Sequence, residues 1–541
     1  MRRWNGWGDD SQHYHLPASA ADYLTERVGP VQPRPDAALA EVLTAIPDSR
    51  LKPHPLISTD PHVRLMHTRG QSIPDWIAMR SGRINAFPDG VAFPESDEDV
   101  SALLKLARES GLQLIPYGGG TSVLGHINPE PGSPPTITVD MRRFNQLLSL
   151  DENSRLAVIG AGANGPRIEA LLNPRGYTLG HFPQSWELST LGGWIATRST
   201  GQQSYYYGRI EPLFRGGHVE THHGSWDLRP FPASAAGPDL REMLLGSEGR
   251  FGIITRAAVQ VCRLAESEVF KAAFFPSWES GAEALKAIVR ARIPVSMLRL
   301  SDAQETETTL ALSGKDRLVG FAYSGLRLAG YGEHPCMLLY GLTGETSVVN
   351  FSRKQSARLI RQHGGFLTGN TIGHMWQKSR FTTPYLRNTL WEAGYAVETL
   401  ETAMPWTEVF TTSQSLVESI RMAAKEHGEN PIIYVHLSHV YPTGASIYVT
   451  FVFRRGADPG QTHARWFDMK TAACRTIVEK QATISHQHGV GIDHACYLPA
   501  EKGVEGIRLL HAVQQHLDPH MVLNPGKLLR SKEDTSSIQH S

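Results

Sequence analysis

The hydrophobic pattern changes texture three times along the chain. Over residues 1–82 apolar positions are scattered among proline, histidine and charge, with short helical stretches such as 36–46. This reads as an N-terminal helical accessory region in which little chemistry is expected. From about Phe87 short β-type runs alternate with helices: Val91-Ala92-Phe93-Pro94 is extended, Asp97–Ser110 helical, 112–116 extended again. Val100, Leu103, Leu104 and Ala107 recur at three- and four-residue spacing, so that helix has one apolar face for a sheet, and Asp97 is placed to cap it. The pattern continues to about Arg263, so 83–265 is one α+β domain. Near Glu266 the register breaks; helical periodicity over 408–427 and alternation over 446–453 mark 266–475 as an α/β cap that covers substrate. Residues 476–541 combine a histidine-rich loop, a helix and the turn Leu523-Asn524-Pro525-Gly526-Lys527 in a C-terminal helical region.

At 541 residues the chain exceeds what one hydrophobic core supports, in keeping with this division. Basic and acidic residues number 53 each, so no net field exists to hold a nucleic-acid backbone. Cys262, Cys336, Cys474 and Cys496 lie far apart, which suits buried thiols of a reducing compartment and neither zinc nor a disulfide framework. The first residues lack the apolar core of a secretory signal, and no apolar run approaches the roughly 18 residues of a membrane helix. A cytoplasmic location is expected, with peripheral membrane contact compatible with it.

Four motifs carry candidate chemistry. Pro116-Tyr117-Gly118-Gly119-Gly120-Thr121-Ser122 follows a β-run, and its glycines let backbone N–H groups approach a pyrophosphate. Its spacing matches neither a G-x-G-x-x-G fingerprint nor a P-loop. Gln184-Ser185-Trp186-Glu187-Leu188-Ser189-Thr190, followed by Thr197-Arg198-Ser199-Thr200, suits backbone wrapped around a ligand, or a helix start capped by Ser189 or Thr190. Glu248-Gly249-Arg250-Phe251-Gly252-Ile253-Ile254 is a glycine-punctuated entry into a strand. In Ser485-His486-Gln487-His488-Gly489, two imidazoles can share protons near neutral pH or bind phosphate when charged. Their H-x-H spacing could hold a metal, but no carboxylate or cysteine cluster supports it in the sequence, and none is expected.

In this order P-x-G-G-G-T-S, P-x-S-x-E-x-S-T-x-G-G-W, T-R-S and G-S-E-G-x-x-G-I-I-T resemble the FAD-binding half of the vanillyl-alcohol-oxidase-type (PCMH-type) flavoproteins. With Trp4-Asn5-Gly6-Trp7-Gly8, Glu401-Thr402-Ala403-Met404-Pro405-Trp406 and the histidine loop, the likeness extends over nearly the whole chain to the alkyldihydroxyacetonephosphate synthase family. The resemblance implies a two-subdomain α+β FAD-binding domain, an α/β cap and helical terminal regions, with FAD contacts from residues 116–122, 184–190, 197–200 and 248–254. Thr121 stands where many relatives attach flavin to a histidine, which implies noncovalent FAD. The family's three successive histidines are matched by His486, Gln487 and His488; Tyr448 matches its active-site tyrosine, and Arg387 its substrate-binding arginine, with Gln487 also at the substrate. The implied reaction is redox-neutral: the acyl chain of acyl-dihydroxyacetone phosphate is exchanged for a fatty alcohol in ether-lipid synthesis. Expected partners are that lipid phosphate, the alcohol and a second copy in a homodimer. An FAD-dependent oxidoreductase of a D-2-hydroxy acid, like D-lactate dehydrogenase, is the alternative. A catalytically silent flavin-binding scaffold is disfavoured by the retention of Tyr448, Arg387 and two loop histidines.

Overall fold

The computed structural model describes residues 2–312, 330–332 and 334–530; the stretches 313–329 of the expected cap and 531–541 of the expected C-terminal region lie outside the described residues. A four-stranded sheet runs in the order Ile57–Ser58, Gly90–Ala92, Thr136–Asp140, Gln113–Tyr117. Its last three strands are parallel, and the helix Asp97–Ser110 makes the crossover from Gly90–Ala92 to Gln113–Tyr117, with Thr136–Asp140 then entering between them. That helix forms where its apolar spacing predicts, burying Val100, Leu103, Leu104 and Ala107. Its cap is Ser96 rather than Asp97: the Ser96 hydroxyl accepts from the Asp99 amide while the Asp99 carboxylate accepts from that of Ser96. Asp97 instead pairs with Arg256 of the next sheet.

The second sheet is antiparallel, in the order Leu147–Asp151, Leu156–Gly160, Ile253–Gln260, Phe214–Thr221, Gly224–Leu228. Leu523 bridges in parallel to Leu114, and main-chain bonds join Leu114 N to Val522 O and Asn524 N to Leu114 O, both at 2.8 Å, so the chain's last turn extends the first sheet. The third sheet is antiparallel, in the order Phe366–Leu367, Ser267–Phe275, Cys336–Gly344, Met297–Ser301, Ile432–Leu437, Gly444–Arg454, Tyr395–Pro405. Two-residue alternation divides its strands between core and cavity. Ile447, Val449, Phe451 and Phe453 join Ile433, Val435 and Leu437 in the main core, which also receives the helices Trp278–Arg290, Val409–Glu426 and Pro459–Glu479. Each such fully buried side chain contributes about 1.5–3 kcal/mol. The intervening Tyr448, Thr450, Val452, Tyr434 and His436 therefore face the opposite side, where a cavity lies.

The N-terminal segment departs from expectation. Trp7 is held by Asn388 through two bonds, Trp7 N–H to Oδ1 at 3.1 Å and Nδ2–H to the Trp7 carbonyl at 2.9 Å, and Trp7 and Tyr14 form part of the cavity wall. The segment lacks the apolar periodicity that would have marked it, because it is held by single buried rings such as Trp7 and by bonds to residues distant in sequence. All four cysteines are free thiols.

Candidate active site

One cavity of about 1050 Å³ runs from the glycine loop to the histidine loop. Its floor is Pro116–Ser122, wedged against the 185–190 segment: a Cβ on Gly118 would stand 2.1 Å from Thr190 Oγ1, and one on Gly119 2.1 Å from the Leu188 carbonyl. Only glycine permits that approach. Gln184, Ser185, Ser189, Thr190, Thr197, Ser199, Thr200, Glu248, Gly249, Gly252, Ile253 and Ile254 complete this end of the wall. Thr200 Oγ1, Gln202 Oε1 and Asn524 Oδ1 are buried in the wall without protein partners, as suits a polar ligand laid along the loop. An extended dinucleotide such as FAD fits these features.

Six of the expected cofactor contacts are not in the wall. Trp186 stacks on Phe381 at 4.6 Å, Glu187 accepts the Tyr385 hydroxyl at 3.1 Å, and Leu188 packs on the cap core. Arg198 pairs with Glu242, Arg250 is fully buried and donates to the Leu523 carbonyl at 2.8 Å, and Phe251 is core. Glu248, which does reach the wall, has committed its carboxylate elsewhere. Its oxygens accept from Val490 N at 2.5 Å and Gly491 N at 2.9 Å and lie 3.2 Å from His126 Nε2, so it clamps the turn after the histidines onto the cofactor domain. Thr190 opens the helix Leu191–Ala196 without a side-chain cap bond, and the Ser189 hydroxyl instead accepts from Trp194 Nε1 at 2.7 Å.

At the far end Arg387, Tyr448, Gln487 and His488 all reach the cavity. Arg387 lies over the Trp76 ring at 4.6 Å and donates Nη1–H to the Gln71 carbonyl at 2.9 Å. Among the described residues no carboxylate pairs with it, and burial lowers its pKa. Burial pushes the Tyr448 phenol up to about 12, with Thr399 pulling against it through a hydrogen bond. The His488 ring meets Tyr448 edge-on at 5.9 Å. His486 does not line the cavity. Its Nε2 faces Tyr441 Oη at 2.7 Å and takes a bond from Arg209 Nη1 at 2.9 Å, while Nδ1 lies 3.2 Å from Glu401 Oε1.

Glu401 is the carboxylate that the sequence did not reveal beside the histidine loop. Strand register sets it opposite Tyr448, and it accepts from Gln487 Nε2. Burial alone would raise its carboxyl, but His486, His439 and His488 outweigh that and hold it well below the usual carboxylate range. Ligand atoms of Glu401, His439 and His486 lie within 4.8 Å of one another, as in a metal site. Arg209 argues against that use: its bond to Nε2 places the His486 proton on Nδ1, toward Glu401, and the guanidinium already supplies the positive charge. The sequence reading also missed His436, whose ring is stacked on Tyr448 at 4.6 Å and 11°.

Residues 88–226 match the family "FAD binding domain", and residues 264–528 match "FAD linked oxidases, C-terminal domain". An alkyldihydroxyacetonephosphate synthase of Dictyostelium discoideum is 29% identical over 97% of this chain and 93% of that one. A solved structure of an alkyldihydroxyacetonephosphate synthase superposes with a TM-score of 0.84 and 26% identity, covering 97% of this chain and 98% of that one. A mitochondrial D-lactate dehydrogenase [cytochrome] of Arabidopsis thaliana is 24% identical over 82% of this chain and 73% of its own length.

Proposed function

Since the chain belongs to the flavoproteins that join an FAD-binding domain to an FAD-linked oxidase C-terminal domain, we propose that it exchanges the acyl chain of acyl-dihydroxyacetone phosphate for a fatty alcohol without net redox. The observation that carries this reading is Arg387, a buried guanidinium with no carboxylate partner among the described residues, in the same cavity as the cofactor loop, Tyr448 and His488. A planar fork of donors suits a phosphate dianion. Met297, Met337, Leu339, Ile372 and Trp376 line the cap side with apolar surface suited to two alkyl chains. The more distant likeness to a D-lactate dehydrogenase covers less of the chain at lower identity.

Residues 116–122, Thr200 and Asn524 would hold FAD, which supplies an electron-accepting ring that takes up an electron pair and returns it within one turnover. Arg387 fixes the phosphate and so orients the ester. The Tyr448 phenol, protonated at neutral pH, donates and recovers a proton at the ester, with the neutral His488 ring beside it. Gln487 does not titrate; it tethers the loop to Glu401. The reading includes a homodimer, cytoplasmic location and peripheral membrane contact, which sedimentation and vesicle flotation would test. Among the described residues no helix is long and apolar enough to cross a membrane.

The deciding experiment is anaerobic incubation with acyl-dihydroxyacetone phosphate and hexadecanol. Fatty acid and ether should form through many turnovers with no electron acceptor, and Tyr448→Phe should abolish both while the flavin spectrum stays unchanged. A flavin that bleaches once with D-lactate, recovers only with an acceptor and yields no ether identifies a dehydrogenase instead.

A further inference from the structure

His436 is buried and lines the cavity, its Nδ1 lies 2.9 Å from Glu305 Oε1, and its Nε2 has no protein partner. Arg299 Nη2 donates to the same Glu305 oxygen at 2.6 Å. Arg299 Nη2 also lies 3.4 Å from His436 Nδ1, but the shorter contact of Nδ1 is with the ionised carboxylate, which only accepts, so the His436 ring proton sits on Nδ1. Its Nε2 lone pair is left available, on a ring stacked face to face with Tyr448. His488, edge-on to Tyr448, has no protein bond to either ring nitrogen among the described residues, so nothing there fixes a tautomer. His486 has its Nε2 occupied outside the cavity.

We propose that His436, oriented by Glu305, is the general base that takes the proton of the incoming alcohol. The assignment rests on the exchange reaction above. As the ether carbon–oxygen bond forms, the alcohol O–H bond breaks and its proton passes to His436 Nε2. The carbon–oxygen bond to the departing ester oxygen breaks, the acid leaves with that oxygen, and the proton passes to it or to water. Ester plus alcohol give ether plus acid, and no electrons are gained or lost. Burial and Arg299 lower the His436 pKa against the pull of Glu305 and Glu401, so the ring is neutral at pH 7. Tyr448, Tyr434 and His439 are the other titratable groups around it.

The test uses the FAD-loaded enzyme and two variants: H436Q, which can still bond Glu305, and H436F, which keeps the stack on Tyr448. Fatty acid released from acyl-dihydroxyacetone phosphate alone is measured over the first turnover, and ether formation after hexadecanol is added. Loss of a general base costs about 10²–10⁴-fold. Both variants should release fatty acid within about twofold of wild type but form ether at least about 100-fold more slowly, and the acid limb of kcat seen in wild type should vanish. Ether formation within threefold of wild type in either variant overturns the assignment, as does an equal loss of both steps. A wild type that performs neither step overturns the functional reading, and the assignment with it.

Discussion

Arg387 meets the Gln71 carbonyl and the Trp76 face and feels Glu398 only at longer range, and in the proposed reading the substrate phosphate is its partner. Replacing it with alanine should raise KM for the phosphate substrate by about 30-fold, near 2 kcal/mol, because the phosphate is left unpaired. FAD content should not change, and lysine should restore only part of the loss, since it lacks the fork. A second prediction follows from His439, whose pKa burial lowers from 6.5 to about 3. The unfolded chain binds this proton near pH 6.5 and the folded chain does not. The stability it contributes is present above pH 6.5 and is lost as pH falls toward 3, on the order of 2 kcal/mol by pH 5. Thermal melts should show a shallower fall in Tm from pH 7 to pH 5 for His439→Gln than for wild type. At this scale the sequence was informative where a family motif stood behind it: Arg387, Tyr448 and His488 reach the cavity. His436 and Glu305 were not legible, because 131 residues separate them and they meet only where Glu305, on the helix after the strand Met297–Ser301, comes beside the strand paired with it.

Among the elements, the span and buried face of the helix Asp97–Ser110 could be read from its local periodicity, while its cap fell one residue earlier than expected, at Ser96. The histidine loop could be located but not its support, because Glu401 and Glu248 reach it from other strands and turns. Glu248 links the two: the motif G-S-E-G marks a strand entry, yet its carboxylate serves a turn 242 residues later. In Glu248→Gln one oxygen remains to accept, and the other amide loses its partner, at a cost of about 1–3 kcal/mol. Hydrogen exchange at Val490 and Gly491 should quicken at least tenfold while FAD affinity, followed by flavin fluorescence, stays within threefold of wild type. Unchanged protection would show that the clamp is dispensable.

At the scale of the whole molecule the glycine loop and the residues proposed to bind substrate share one continuous space, walled by the N-terminal segment, the first two sheets, the cap and the final turn. The superfamily was legible because glycine loops keep their order in sequence; the joint wall was not, being assembled from remote segments. By the family resemblance Thr121 stands in place of a flavin-linking histidine, and on that reading acid precipitation should release all the flavin into the supernatant; yellow colour left in the pellet would show a covalent bond. The final turn has a consequence for biosynthesis. Residues 522–524 extend the sheet that begins at Ile57, and Asn524 Nδ2 ties the carbonyls of His126 and Glu248 together at 3.0 and 2.7 Å. On the ribosome the strand Gln113–Tyr117 is translated long before residues 522–524, which flank it in the folded sheet. Until that turn emerges Leu114 and its neighbours lack part of their cover, so a chain that stops before residue 522 should bind FAD more weakly and be left to chaperones and proteases, which flavin fluorescence of such a truncation checks.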